Sequence, residues 1–147
     1  MITVCSRILV PFDGSELSIK ALNTATTFLK QDEKLELDVL MVVNVRVAVH
    51  EHSLELVDIE EIRQAYFASA KKTLGEIEDQ LRSVPNKIKA LALEGDPGNT
   101  IIDYSQENNI DLVIMGSRGL SEMKELFLGS VSHHVVQKST CPVMIVK

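Results

Sequence analysis

Asp111-Leu112-Val113-Ile114-Met115-Gly116-Ser117-Arg118-Gly119 joins a short apolar run directly to a pair of close glycines. The run has no polar alternation, so it reads as a strand covered on both faces, which is the habit of parallel sheets. The glycines then stop the strand and open a loop. Working back toward the N-terminus, Gly95-Asp96-Pro97 sets a cap at Asp96 and proline at the first helical position, which predicts a helix to about Asn108. Lys87 to Leu93 reads as the strand before it. Further back, Ile59, Ile62, Tyr66, Ala70, Leu74, Ile77 and Leu81 mark a long amphipathic helix, weakened by about 1 kcal/mol at Gly75. Between Arg46 and Val57 the pattern lapses, and Leu35 to Val45 is a second continuous apolar strand.

The chain opens in the same way. Arg7 to Phe12 is a strand ending in the turn and cap sequence Asp13-Gly14-Ser15, and Leu17, Ala21, Leu22, Ala25, Phe28 and Leu29 give a helix ending near Gln31. After Gly119, Ser130 to Lys138 forms a short helix and Pro142 to Val146 a last strand. Strands thus alternate with helices throughout, which predicts a single Rossmann-like domain over residues 1–147. Its core is a doubly wound, five-stranded parallel sheet with helices on both faces and right-handed crossovers. In such sheets ligands bind beyond the carboxyl ends of the strands, where the strand order reverses.

Composition narrows the function. A chain of 147 residues that is 45% hydrophobic can bury one sizeable core. Its net charge of −6 argues against nucleic acid or an anionic membrane as partner. No apolar run suits a membrane span and the N-terminus lacks the plan of a signal peptide, so a cytoplasmic location is expected. Cys5 and Cys141 form no CxxC or Cys/His cluster, and read as small apolar residues.

Any anion must therefore be held by a local device. Gly116-Ser117-Arg118-Gly119, nine further residues, then Gly129-Ser130-Val131-Ser132 supply one. Glycines let the backbone take positive φ and approach a ligand closely, so that successive N–H groups form an anion nest. A helix starting at Ser130 adds unpaired N–H groups and the positive end of its dipole, and the Ser130 and Ser132 hydroxyls can donate to phosphate. Two glycines alone would be an ordinary loop. The full spacing after a fourth strand is similar to the ATP-binding signature of the universal stress proteins.

The resemblance extends over the chain: Val10 to Ser15 is similar to that family's opening strand and turn, Gly95-Asp96-Pro97 to its third strand end, and Pro142 to Lys147 to its closing strand. It implies the family's five-stranded fold of the adenine nucleotide alpha hydrolase-like kind, bound ATP or a related adenine nucleotide, and a homodimer. By position, the resemblance implies that Asp13 lies near the ribose and triphosphate and holds a magnesium ion through water. Val42, to within one residue, contacts adenine through its backbone, and Gly116, Gly119, Gly129, Ser130 and Val131 line the phosphates with their amides. Pro11, Met115, Arg118 and Ser132 complete the set. One departure is Met41-Val42, where many members have histidine before valine; another is Phe12, expected to narrow the pocket mouth.

Other polar groups read more simply. His133 and His134 point about 100° apart on a helix and chelate poorly. His50 and His52 fall in the irregular region, and Glu60, Glu61, Glu76, Glu78 and Asp79 form a solvated helix face. The chain has no Gly-x-Gly-x-x-Gly after its first strand and no Gly-x-x-x-x-Gly-Lys-Ser/Thr, which argues against a dinucleotide-binding Rossmann domain and a phosphate-loop NTPase. It also lacks the acidic cluster of a receiver domain. No general base or nucleophile stands out, so the sequence points to a non-catalytic or very slowly hydrolysing ATP-binding regulatory module of stress responses. A nucleotide-independent dimeric interaction module is the alternative.

Overall fold

The computed structural model describes residues 5–51, 58–119 and 128–147, without the side chains of residues 50 and 51. Five strands, β1 (Arg7–Pro11), β2 (Glu36–Val43), β3 (Ile88–Glu94), β4 (Leu112–Gly116) and β5 (Val143–Val146), form one sheet in the order β3-β2-β1-β4-β5. Every pairing is parallel, as the unalternating apolar runs predicted. The helices are α1 (Glu16–Leu29), α2 (Val45–Glu51), α3 (Ile59–Gln80), α4 (Pro97–Glu107) and α5 (Ser130–Lys138). Among the described residues, no helix is long and apolar enough to cross a membrane.

The side-chain alternation of each strand divides the core in two. Ile8, Val10, Leu37, Val39 and Ile114 pack with Ala21, Leu22, Ala25 and Leu29 of α1 and Leu74 and Ile77 of α3. Leu9, Leu40, Val113 and Met115 face the other way, against Ile101 and Ile102 of α4 and Val135 of α5. Both faces are therefore covered, and each such aliphatic side chain contributes about 1.5–3 kcal/mol by leaving water.

The element α2 was not expected. The strand reading ran to Val45, but β2 ends at Val43 and the chain turns helical after Asn44, whose Oδ1 accepts from Val47 N at 3.4 Å. Val45, Ala48 and Val49 have helical spacing, and Val45 and Val49 pack with Ala70, Tyr66 and Phe67 of α3. The rest of the lapse in pattern, including His52, lies outside the described residues. Ile59, counted on the core side of α3, is 52% exposed.

One charge interrupts the apolar interior. Asp38 of β2 is 2% exposed, on the face covered by α4. Its Oδ2 accepts from Arg7 Nη2 at 2.9 Å and from the Tyr104 hydroxyl at 2.6 Å. Burial, then the hydrogen bond to Asp38, holds the Tyr104 phenol above its ordinary range, so it stays a donor. Nearby, Asp111 Oδ2 accepts from Ser6 N, Ser6 Oγ and Arg7 N, tying the start of β4 to the start of β1. Burial works against its ionisation, but these three bonds outweigh it and hold the carboxyl below its usual range.

Removing one member of the buried network should separate two costs. Asp38→Ala leaves the Arg7 charge and the Tyr104 hydroxyl without their partner and should destabilise the protein by about 3 kcal/mol or more. Tyr104→Phe leaves the ion pair intact and should cost about 1 kcal/mol. Urea unfolding with unchanged m-values measures both; equal losses would show that the ion pair contributes nothing beyond the hydroxyl contact.

Candidate functional site

The sheet opens where its order reverses. β1 pairs with β4 only at Ile8–Leu112 and Leu9–Val113. Beyond that point β1 keeps company with β2, as far as the bond from Phe12 N to Leu40 O at 2.9 Å, while β4 continues along β5 to the bond from Ser117 N to Val146 O at 2.9 Å. The crevice between the diverging ends holds a pocket of about 200 Å³. All eleven residues expected at the site line it: Pro11, Asp13, Val42, Met115, Gly116, Arg118, Gly119, Gly129, Ser130, Val131 and Ser132.

Each wall has a local cause. Asp13 folds back on the chain, its Oδ1 accepting from Ser15 N at 2.9 Å, and the turn needs Gly14 at φ +84°. Ser15 then caps α1, accepting from Ser18 N at 3.2 Å. The opposite loop approaches this turn closely. A Cβ on Gly116 would lie 2.7 Å from Leu17 Cβ, and one on Gly119 would lie 2.5 Å from Asp13 Oδ2.

These distances correct the reason given for the glycines. Gly116, Gly119 and Gly129 do not take positive φ; Gly129 has φ −60°, and an added Cβ there would make ordinary contacts at 3.4 Å. Gly116 is required because Leu17 leaves no room for a side chain, Gly119 lets the Asp13 carboxylate lie against the loop where a Cβ would displace it, and Gly129 matters for what it lacks. As the N-cap of α5 it supplies no side-chain oxygen, while Ser15, Asp58 and Asp96 cap α1, α3 and α4. Gly129 N donates to Ser117 O at 2.7 Å, and the first intrahelical bond of α5 runs from His133 N to Gly129 O. The first-turn amides of Ser130, Val131 and Ser132 are therefore left without a side-chain cap at the pocket wall.

Ser132 has a different task from the one expected of its hydroxyl. It is 2% exposed, and its Oγ lies 2.8 Å from Ser117 O and 3.1 Å from Gly129 O. A hydroxyl has one proton to donate, and both neighbours are acceptors, so that proton is spent within the protein. Ser132 thus fastens α5 to the end of β4, and Ser130, which is exposed, keeps the hydroxyl open to a ligand.

One end of the pocket is apolar. Leu40, Val42, Pro97, Ile101 and Met115 lie there together. Val42, not Met41, faces the pocket; Met41 packs toward α1 and α3. Alternation along a parallel strand turns the backbone groups of odd residues toward β3, as in Gly95 N to Val43 O, and those of Leu40 and Val42 toward β1. Since β1 leaves after bonding Leu40 O, the N–H and C=O of Val42 lie at an edge that β1 no longer covers. Phe12 borders the pocket, is 8% exposed and also packs in the core under α1.

Ser15, Ser18, Leu40, Pro97 and Ile101 also line the pocket and were not foreseen there. Leu40 shares a strand face with Val42, and the Asp96-Pro97 cap already placed a helix N-terminus beyond the third strand. What was lacking was the neighbour relation that sends α4 back across the crevice. His133 and His134 stay outside the pocket lining, and no group of three metal-ligating side chains occurs among the described residues.

Comparison with known proteins follows the same outline. The model of the universal stress protein family matches residues 5–147. Universal stress protein YxiE of Bacillus subtilis is 34% identical, over 97% of this chain and 99% of that protein. The solved structure of MJ0577, a universal stress protein of Methanocaldococcus jannaschii, superposes with a TM-score of 0.86 at 30% identity, covering 99% of this chain and 97% of the other. Two structures share the fold at lower identity. One is a universal stress protein in complex with cAMP (TM-score 0.66, 22% identity, 98% of both chains). The other is the Arabidopsis thaliana family protein At3g01520 with AMP bound (TM-score 0.67, 18% identity, 97% of this chain and 91% of that one). With the family pattern matched across its length and the five-stranded fold in place, this chain belongs to the universal stress protein family.

Proposed function

We propose that the crevice binds ATP with magnesium and that the protein is a regulatory module of stress responses, non-catalytic or very slow in hydrolysis. The observation that carries this reading is the start of α5: a helix N-terminus capped by glycine alone, with three first-turn amides at a pocket wall. Such amides and the helix dipole stabilise phosphate oxygens without any net positive charge on the protein. The cAMP and AMP bound by fold relatives support an adenine nucleotide in this fold.

The two ends of the pocket suit the two ends of ATP. The apolar walls take the purine, and the N–H and C=O of Val42 match the acceptor and the N6 donor of adenine, where guanine would bring its O6 acceptor against the carbonyl. Asp13 stands beside Gly119 with Oδ1 committed to Ser15 N, leaving Oδ2 to hold a magnesium ion through water. Asp13 is also the one carboxylate among the described lining residues, and no histidine lines the pocket there. That supports binding over rapid hydrolysis, which would need a positioned base.

A homodimer through β5 belongs to the same proposal. Among the described residues β5 pairs only with β4, which leaves its outer edge open there; Val143, Met144 and Ile145 are half-buried, and Val136 of α5 is 43% exposed. A twofold mate would pair that edge and cover those side chains.

Three measurements test these statements. Calorimetry on folded, nucleotide-free protein at near-physiological magnesium should show ATP binding, with GTP weaker by about tenfold or more; no heat from millimolar ATP would overturn the assignment. Gly119→Val should weaken ATP by about ten- to a hundredfold by displacing the Asp13 carboxylate, the equivalent of one charge-assisted hydrogen bond. Gly129→Ala, with no clash to relieve, should keep the fold and melt within about 5 °C of wild type. A folded Gly119→Val variant with unchanged affinity would remove this loop from the site. Light scattering at tens of micromolar should return a dimer mass, and a monomer would contradict the β5 pairing.

A further inference from the structure

α4 and α5 lie on the same side of the sheet, and both N-termini reach the pocket: α4 supplies Pro97 and Ile101 to the purine wall, α5 supplies Ser130 and Val131 to the phosphate end. The first turn of α4 is cross-linked to the second turn of α5 outside the pocket. His134 Nε2 lies 2.8 Å from Asn99 Oδ1. A carboxamide oxygen only accepts, so the ring carries its proton on Nε2 and donates. The ring lies over Gly98, where an added Cβ would be 2.6 Å from His134 Cδ2 and 3.2 Å from Cγ. Asn99 is itself held, since its backbone N donates to the capping carboxylate of Asp96 at 3.0 Å. Side chain, glycine and cap thus form one assembly between two helix starts.

We infer that His134 is a positioning residue, a strap that sets the distance between the purine wall on α4 and the uncapped amides of α5. His134 stands four residues after Ser130, so it rises from the helix face one turn behind the exposed hydroxyl. Neither His134 nor Asn99 nor Gly98 lines the pocket, so the strap acts only through spacing. A ligand that spans both ends depends on that spacing. One that occupies a single end does not.

The inference rests on the ATP reading, and the test separates the two. Wild-type protein is titrated calorimetrically with ATP and with adenosine, then His134→Ala, His134→Gln and Asn99→Ala are titrated alike. His134→Ala and Asn99→Ala should each weaken ATP by about three- to tenfold, the value of one side-chain hydrogen bond. Adenosine affinity should stay unchanged, and His134→Gln, which keeps a donor, should recover part of the loss for ATP. Thermal melts confirm that each variant is folded, and Asn99→Ala serves if His134→Ala is not. Unchanged ATP affinity in both alanine variants, or ATP and adenosine weakening together, would overturn the strap while leaving the site in place. Wild-type protein that binds neither ligand would overturn the site itself, and the strap with it.

Discussion

The reversal of strand order between β1 and β4 is the constraint on which the rest depends. Right-handed crossovers send α1 and α3 to one face of the sheet, and α4 and α5 to the other. The two central strands therefore lead their chains in opposite directions at the carboxyl edge, and no helix can fill the gap between them. The crevice left behind is a place where backbone groups of β2 lose a partner, two glycines approach a facing turn, and two helix N-termini meet. No single residue creates this geometry.

The two edges of the sheet are built for different ends. At the amino edge two carboxylates are paired: Asp38 with Arg7 and Tyr104, Asp111 with Ser6 and Arg7. At the carboxyl edge α5 forgoes the side-chain cap that α1, α3 and α4 possess, an omission that costs its helix a few tenths of a kcal/mol when glycine takes the cap position. A protein with net charge −6 cannot attract an anion by its overall field. Oriented amides and a helix dipole act over a few ångströms, so they work against that background only where the chain is brought close. Gly116, packed on Leu17, and Gly119, packed on Asp13, provide that closeness.

Ser132 and His134 show how a short helix is held in place. Ser132 ties the first turn of α5 to Ser117 at the end of β4, and His134 ties the second turn to α4. Between them α5 is referenced both to the sheet and to its neighbouring helix, while Val135 anchors its underside with no exposure at all.

The sequence alone determined the alternation of elements and the parallel sheet. Local causes govern both: unalternating apolar runs for covered strands, Asp96-Pro97 and Ser15 for helix starts. Short-range signals failed where a contact came from elsewhere in the chain. α2 has only a brief apolar stripe, and it acquires meaning by packing on α3. Asp38 looks like an intruder in a strand until Arg7 and Tyr104 meet it. Gly116 and Gly119 were legible as glycines, but their reason was close approach to Leu17 and Asp13 about a hundred positions away. Ser132 turned from a ligand donor into a clamp, and Pro97, Ile101 and His134 joined the neighbourhood of the site, for the same cause. Which groups face one another across the crevice is set by how α4 and α5 cross back over the sheet, and that depends on packing free energy summed over the whole core.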